Sequence, residues 1–129
     1  MRITAIVAVL FVSVHALAGA QTTSRGRYIV EQVGLCGDCH TPRDQTGVPI
    51  AQKKLTGAPI GVRPIHPMPF AEYAPRLAGI PARFTPAQLA VFLQTGRRPD
   101  GSTPLPPMPP YRLSKDDAWA VVDYLKSLK

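Results

Sequence analysis

The chain has 129 residues, a formal net charge of +7 and two cysteines. That length is enough for one domain. The positive charge suits an acidic protein partner or an anionic membrane surface, and the nucleic-acid reading of such a charge is set aside because no motif for it is visible and the N-terminus reads as an export signal.

Arg2 precedes an apolar run from Ile3 to Leu17, and Ala18-Gly19-Ala20 follows. A charged start, an apolar middle and a small-residue end read as a secretory signal cleaved after Ala20. This leaves residues 21–129 as one exported domain, with no stable membrane span after cleavage. An uncleaved anchor is the competing reading. The run is short for a spanning helix and is interrupted by Ser13 and His15.

Residues 21–25 are polar and read as loose. From Gly26 to Val33, the residues Tyr28, Ile29, Val30 and Val33 fall at helical spacing, which predicts a short helix. Gly26 has two readings, close approach of another helix or ordinary fraying at a helix start.

The helix runs into Cys36-Gly37-Asp38-Cys39-His40. This is the C-x-x-C-H pattern for covalent attachment of a c-type haem. On a helical turn, residues three and four apart share a face. Cys36 and Cys39 can then reach two vinyl groups of one porphyrin edge, and His40 can ligate the iron. The motif occurs once, so one haem is expected. Two other uses of C-x-x-C are weaker. A thioredoxin-like pair lacks its βαβ surroundings. A zinc site needs four ligands, and beyond the predicted leader the only other histidine is His66. Both cysteines are used by the haem, so no disulfide is expected.

Thr41 to Arg83 has no sustained period and carries Pro42, Pro49, Pro59, Pro64, Pro67, Pro69, Pro75 and Pro81. A structureless loop of this length normally counts against a compact domain. A haem offers a broad apolar surface for it to pack on, with Leu55, Ile60, Ile65, Phe70, Tyr73 and Leu77 as covering candidates. Prolines also lower the entropy of the unfolded chain.

Thr85-Pro86-Ala87-Gln88 is a helix start: Thr85 caps, Pro86 takes the first position and Gln88 completes a capping box. With Leu89, Phe92 and Leu93 as its stripe and Gly96 as its stop, a helix is predicted from about 86 to 95. Arg97 to Arg112 is again a proline-rich loop, centred on Met108. Ser114 then caps a last helix, where Asp116 and Asp117 suit the positive end of the helix dipole. Ala118, Val121, Val122, Leu125 and Leu128 form its apolar stripe.

Three residues are candidates for the sixth iron ligand. Met108 lies between prolines that restrict its backbone, and a neutral thioether paired with histidine raises the reduction potential. Met68 has a similar setting in His66-Pro67-Met68-Pro69, and His66 itself is the third. A methionine in a loop is more often gap-filling core than ligand. Position favours Met108, which comes after the middle helix and just before the last.

From Gly26 onward the chain resembles a class I cytochrome c domain, and more closely the single-haem domains in cytochrome subunits of bacterial periplasmic alcohol, aldehyde and gluconate dehydrogenases. The stretches GRYIVEQVGLCGDCHTPR, FTPAQLAVFLQTGRRPDGS and PPMPPYRLSKDDAWAVVDYLKSL carry the resemblance. It implies an all-α cytochrome c fold, three to four helices with long Pro-rich loops around one haem c. Cys36 and Cys39 would hold the haem, and His40 and Met108 would be the axial ligands. It also implies that the first and last helices cross, with Gly26 against Tyr124 and Leu125. A backbone carbonyl of the early loop should accept from the other ring nitrogen of His40; Pro49 and the segment 57–59 are the candidates. Two features depart from the family. Those subunits usually carry three such domains and an anchor, whereas this sequence reads as one domain with no C-terminal anchor expected. The stretch from Lys53 to Arg83 also matches poorly, which keeps Met68 and His66 open.

The resemblance implies an electron carrier and not an enzyme. Its partners would be redox proteins with acidic docking surfaces, met by a rim of Arg43, Lys53, Lys54, Arg97 and Arg98. The alternative is an electron-transfer subunit of a larger dehydrogenase or oxidase complex. A haem with an open sixth site, acting as a sensor or peroxidase-like protein, is the third reading.

Overall fold

A computed structural model describes residues 21–129. The predicted leader, residues 1–20, lies outside the described residues. Residues 21–28 are helical (α1) and continue without a break into a π-helical turn over Ile29–Val33. The polar stretch 21–25, expected to be loose, is therefore helix. Its Arg25 pairs with Asp117 of the last helix at 2.8 Å. The π turn is closed by the Gly34 N–H, which donates to the Ile29 carbonyl at 2.7 Å, and it delivers the chain to the attachment turn α2, Gly37–His40.

The long connection from Thr41 to Arg83 holds little regular structure. A 3-10 turn spans Ala51–Lys53. The strands β1, Ala58–Pro59, and β2, Tyr73–Ala74, pair antiparallel with Ala58 opposite Ala74. Leu55 organises the rest: it is fully buried, and its carbonyl accepts from the N–H groups of both Leu77 and Ala78. Between the strands, residues 61–70 form an excursion with neither helix nor strand. Its ends are pinned, because the Ile60 N–H donates to the Glu72 carbonyl at 2.9 Å and the Ala71 N–H to the Pro106 carbonyl at 2.8 Å.

The middle helix α3 covers Pro86–Thr95, with the capping box of Thr85 and Gln88 formed as the sequence predicts and Gly96 as its C-cap. The last helix α4 covers Lys115–Ser127, capped by the Ser114 hydroxyl on the Asp117 N–H. It packs on both α3 and the π turn. The core joins Ile29 and Val30 to Leu89, Phe92 and Leu93 of α3 and to Val121, Val122 and Leu125 of α4. The α3 and α4 sets recur at three- or four-residue spacing, so each of these two helices turns one apolar face inward.

Gly26 is where α1 meets α4. A Cβ there would overlap the Ala120 carbonyl oxygen and lie 2.9 Å from the Tyr124 Cβ. The close-approach reading of Gly26 holds, and the fraying reading does not. One turn further on, Glu31 accepts hydrogen bonds from Tyr124 of α4 and from Lys54 of the long loop. Burial alone would raise the Glu31 carboxyl. The hydrogen bonds from Lys54, Tyr124 and Arg27 outweigh it and hold the group down at about 2, from an ordinary 4.5. A depressed folded-state value means that stability is full above the unfolded value and is lost as pH falls through the folded one. Acid titration followed by circular dichroism should therefore show stability declining between about pH 4.5 and 2. In Glu31→Gln, the part of that decline due to this cluster should vanish.

Candidate functional site

The attachment turn opens onto a cavity of about 300 Å³, bounded by α2, β2, α3 and the loop that carries Met108. Cys36, Cys39 and His40 line it together with Met108. Cys36 is half-buried and Cys39 exposed, so one sulfur faces the interior and the other the rim. His40 is buried, and its Nδ1 lies 2.7 Å from the Pro75 carbonyl. A carbonyl only accepts, so Nδ1 carries the proton and Nε2 keeps its lone pair. Burial lowers the imidazole below its ordinary value, with the Pro75 carbonyl pulling the other way, so the ring is neutral. That is the protonation state a metal ligand requires.

The acceptor for His40 is thus Pro75, not Pro49 or the segment 57–59. Gly57 serves the contact from behind. Its N–H donates to the His40 carbonyl at 2.8 Å, and its own φ of +91° brings it against Ala74 and Arg76, the neighbours of Pro75.

The loop around Met108 is clamped at three points. The Pro106 carbonyl takes the Ala71 N–H, the Leu113 N–H donates to Leu93 of α3 at 3.1 Å, and the Tyr111 hydroxyl donates to the Gly34 carbonyl at 2.7 Å. Burial, with Cys36 close by, pushes Tyr111 up to about 12, so its hydroxyl remains a donor throughout the working range of pH. Met108 itself is half-buried and packs on the core. Met68 is 50% exposed, and neither it nor His66 lines the cavity.

The covering residues divide. Ile60, Tyr73 and Leu77 line the cavity. Leu55 lies in the core behind the attachment turn, Ile65 is 95% exposed, and Phe70 is half-buried outside the cavity wall. Of the five predicted rim cations, only Arg98 lines the cavity. Lys54 is bound to Glu31, Arg43 pairs with Asp38 at 3.5 Å, and Lys53 and Arg97 are exposed away from the cavity wall. Arg83, which carried no motif in the sequence, lines it as well.

The residues present fit a covalently attached haem. Two sulfurs and a neutral imidazole converge on one mostly apolar cavity, and a thioether lines the same space.

The family model described as Cytochrome c matches residues 24–129. The chain belongs to the cytochrome c family. A diheme cytochrome c-type protein of Cereibacter sphaeroides is 34% identical over 88 residues, which cover 63% of this chain and 25% of that protein. The fructose dehydrogenase cytochrome subunit of Gluconobacter japonicus is 47% identical over 38 residues, 30% of this chain and 8% of that subunit. The chain therefore spans a quarter or less of the length of these curated relatives. Cytochrome c domains carry a covalent haem c and move electrons rather than catalyse, and the mostly helical fold around the cavity agrees with that membership. No helix among the described residues is long and apolar enough to cross a membrane.

Proposed function

We propose that residues 21–129 form a periplasmic electron-transfer domain with one haem c. Cys36 and Cys39 hold it through thioethers, and His40 and Met108 are its axial ligands. The observation that carries this reading is the company Met108 keeps. It lines the same cavity as Cys36, Cys39 and His40, while the rival ligands Met68 and His66 stand outside it.

The haem supplies a one-electron ferrous–ferric couple whose potential a Met/His pair raises. The chain holds and tunes it. The Pro75 carbonyl fixes the His40 tautomer and makes Nε2 more basic. The three clamps on the methionine loop restrain Met108, whose thioether would hold the iron position opposite His40 against exchange with small molecules. Among the described residues, no histidine, aspartate or glutamate other than His40 lines the cavity, which does not favour acid–base chemistry of the peroxidase kind. Without Arg2 of the predicted leader, the net charge of +7 becomes +6, and this basic domain favours redox partners with acidic docking surfaces.

A second reading is that the domain serves as an electron-transfer subunit docked in a larger oxidoreductase. It is favoured by the similarity to a subunit of fructose dehydrogenase. Exported protein that elutes at the size of one chain supports the free carrier, and co-elution with a dehydrogenase supports the subunit.

Absorption spectra of the exported wild type and Met108→Ala test the ligand set. The ferric wild type should show the weak long-wavelength charge-transfer band of methionine sulfur. The variant should lose it and gain cyanide and carbon monoxide binding. A band that survives the substitution moves the ligand to Met68. A wild type that lacks the band and already binds carbon monoxide overturns the carrier reading.

A further inference from the structure

Among the described residues, three that are not glycine have left-handed backbones: Leu35 at a φ of +47°, Leu55 at +57° and Ile80 at +73°. That conformation presses Cβ against the following carbonyl oxygen, and it persists only where something outweighs the strain. Two of the three have such a reason. Leu55 is fully buried, and Ile80 packs on the core. Leu35 has no place in the core and is 53% exposed. Glycine stands beside it, yet Gly34 keeps an ordinary φ of −83°. A Cβ at Gly34 would lie 3.1 Å from the Tyr111 hydroxyl and 3.3 Å from the Cys36 sulfur, so glycine serves there for room. The left-handed turn falls one residue later. Hydrogen bonds on both sides hold it: the Cys36 N–H donates to the Val30 carbonyl at 3.0 Å, and the Leu35 carbonyl accepts from the Asp38 N–H at 3.0 Å.

The surroundings of Leu35 give the strain a use. It stands in the wall of the cavity that Cys36, Cys39 and His40 line. It also stands in the wall of a second cavity, of about 310 Å³, which Gly37 and Asp38 of the same attachment turn line. Among the described residues, no other belongs to both walls. The two spaces differ in chemistry. The first is mostly apolar. The second presents Glu31, Gln32, Asp38 and Lys54. A space of that size with that many polar partners admits water. Leu35 is the hydrocarbon between the two.

We propose that Leu35 is the partition that keeps water of the second cavity from the haem, and that its left-handed backbone is retained to hold the side chain in that place. The inference rests on the haem reading above. Ferric iron carries one more positive charge than ferrous, so water near the ring favours the ferric state. A hydrocarbon wall limits that access, and the apolar shell around a metal controls its reduction potential in this way. Leu35 is a positioning residue in this account. It touches no iron ligand by hydrogen bond, and it acts on the potential by what it excludes.

The experiment measures midpoint potential and thermal melting on the same haem-loaded proteins: wild type, Leu35→Ala, Leu35→Gly, Leu35→Met and Val33→Ala. Val33 is the control, a 58% exposed residue of the π turn that lines neither cavity. Leu35→Ala and Leu35→Gly both remove the wall, so the midpoint should shift negative by a similar amount in each. Leu35→Met keeps a long apolar side chain and should stay near wild type, as should Val33→Ala. The melts separate the wall from the strain. Leu35→Gly should melt above Leu35→Ala, because both lose the side chain and only glycine relieves the left-handed backbone. A Leu35→Ala midpoint equal to that of wild type or of Val33→Ala would overturn the partition. A Leu35→Gly protein that melts at or below Leu35→Ala would overturn the strained backbone. Covalent attachment is read in the same samples by mass and by the haem spectrum. A wild type without attached haem defeats the haem reading and this proposal with it. Haem attached in every protein, with midpoints that coincide, defeats the partition alone.

Discussion

Gly26→Leu should be among the most damaging single substitutions outside the haem attachment residues. In an exposed helix, replacing glycine stabilises by roughly 0.5–1 kcal/mol, because the unfolded chain loses freedom. At Gly26 the sign reverses. The first added carbon meets the Ala120 backbone, and the next ones meet Tyr124. A backbone carbonyl inside a helix cannot rotate away as a side chain can, so α1 and α4 must separate. Separation strains Ile29 and Val30 against α4 and pulls Glu31 from Tyr124. Overpacking of this kind costs about 3 kcal/mol or more. For a domain of this size that lowers the melting midpoint by roughly 12–24 °C. Thermal melts of haem-loaded protein followed by circular dichroism measure it, with Gly26→Ala as a milder member of the series. A Gly26→Ala protein that melts at or above wild type would mean that the helices do not cross here.

Gly57→Ala should lower stability and move the reduction potential together. The φ of +91° already disfavours any L side chain, and the added Cβ would lie 2.8 Å from the Arg76 nitrogen and 3.0 Å from the Ala74 carbonyl oxygen. Strain and crowding together cost roughly 2–4 kcal/mol. Arg76 and Ala74 flank Pro75, so relief of the clash shifts the carbonyl that accepts from His40. A weaker hydrogen bond at Nδ1 makes the imidazole less basic and ferric iron less favoured. The midpoint potential should therefore rise. Gly47→Ala is the control. Its φ of +85° is similar, but no atom lies within 4 Å of the added carbon. It should cost about 1–2 kcal/mol, the strain alone, and leave the potential unchanged. Equal shifts of potential in the two variants would show that the Gly57 packing does not support His40.

The parts of this fold that were legible in the sequence are those with local causes. The ends of α3 follow from Thr85, Gln88 and Gly96, each of which acts within one turn of itself. The attachment turn follows from three residue types at fixed spacing. The crossing of α1 and α4 was legible because one glycine in an otherwise ordinary apolar face has few other reasons to be there. The polar residues 21–25 misled because their helix is supported from outside, through the pair of Arg25 with Asp117 far along the chain.

What was not legible depends on backbone or on distant pairing. The acceptor for His40 is a main-chain carbonyl, which every residue has, so no side chain marks Pro75. Tyr111 holds the methionine loop through the carbonyl of Gly34, again a group without a sequence signature. Leu55 and Ile65 looked alike as apolar residues in a proline-rich loop. One became core and the other solvent-facing, and only the path of the loop separates them. Arg98 was expected at a docking rim and instead lines the cavity, because the turn fixed by Asp100 directs it there.

The excursion over 61–70 begins and ends at one place. Hydrogen bonds from Ile60 to Glu72 and from Ala71 to Pro106 close its neck, and the cavity wall resumes on either side with Ile60 and Ala71. Neither closing hydrogen bond uses a residue of the segment 61–70 itself, and none of the ten lines the cavity. Doubling the length of such a loop costs only about 0.6 kcal/mol in closure entropy. The segment is therefore a grafting point: its ten residues can be exchanged for a tag, a surface anchor or a recognition peptide while the electron-carrying centre keeps its shape.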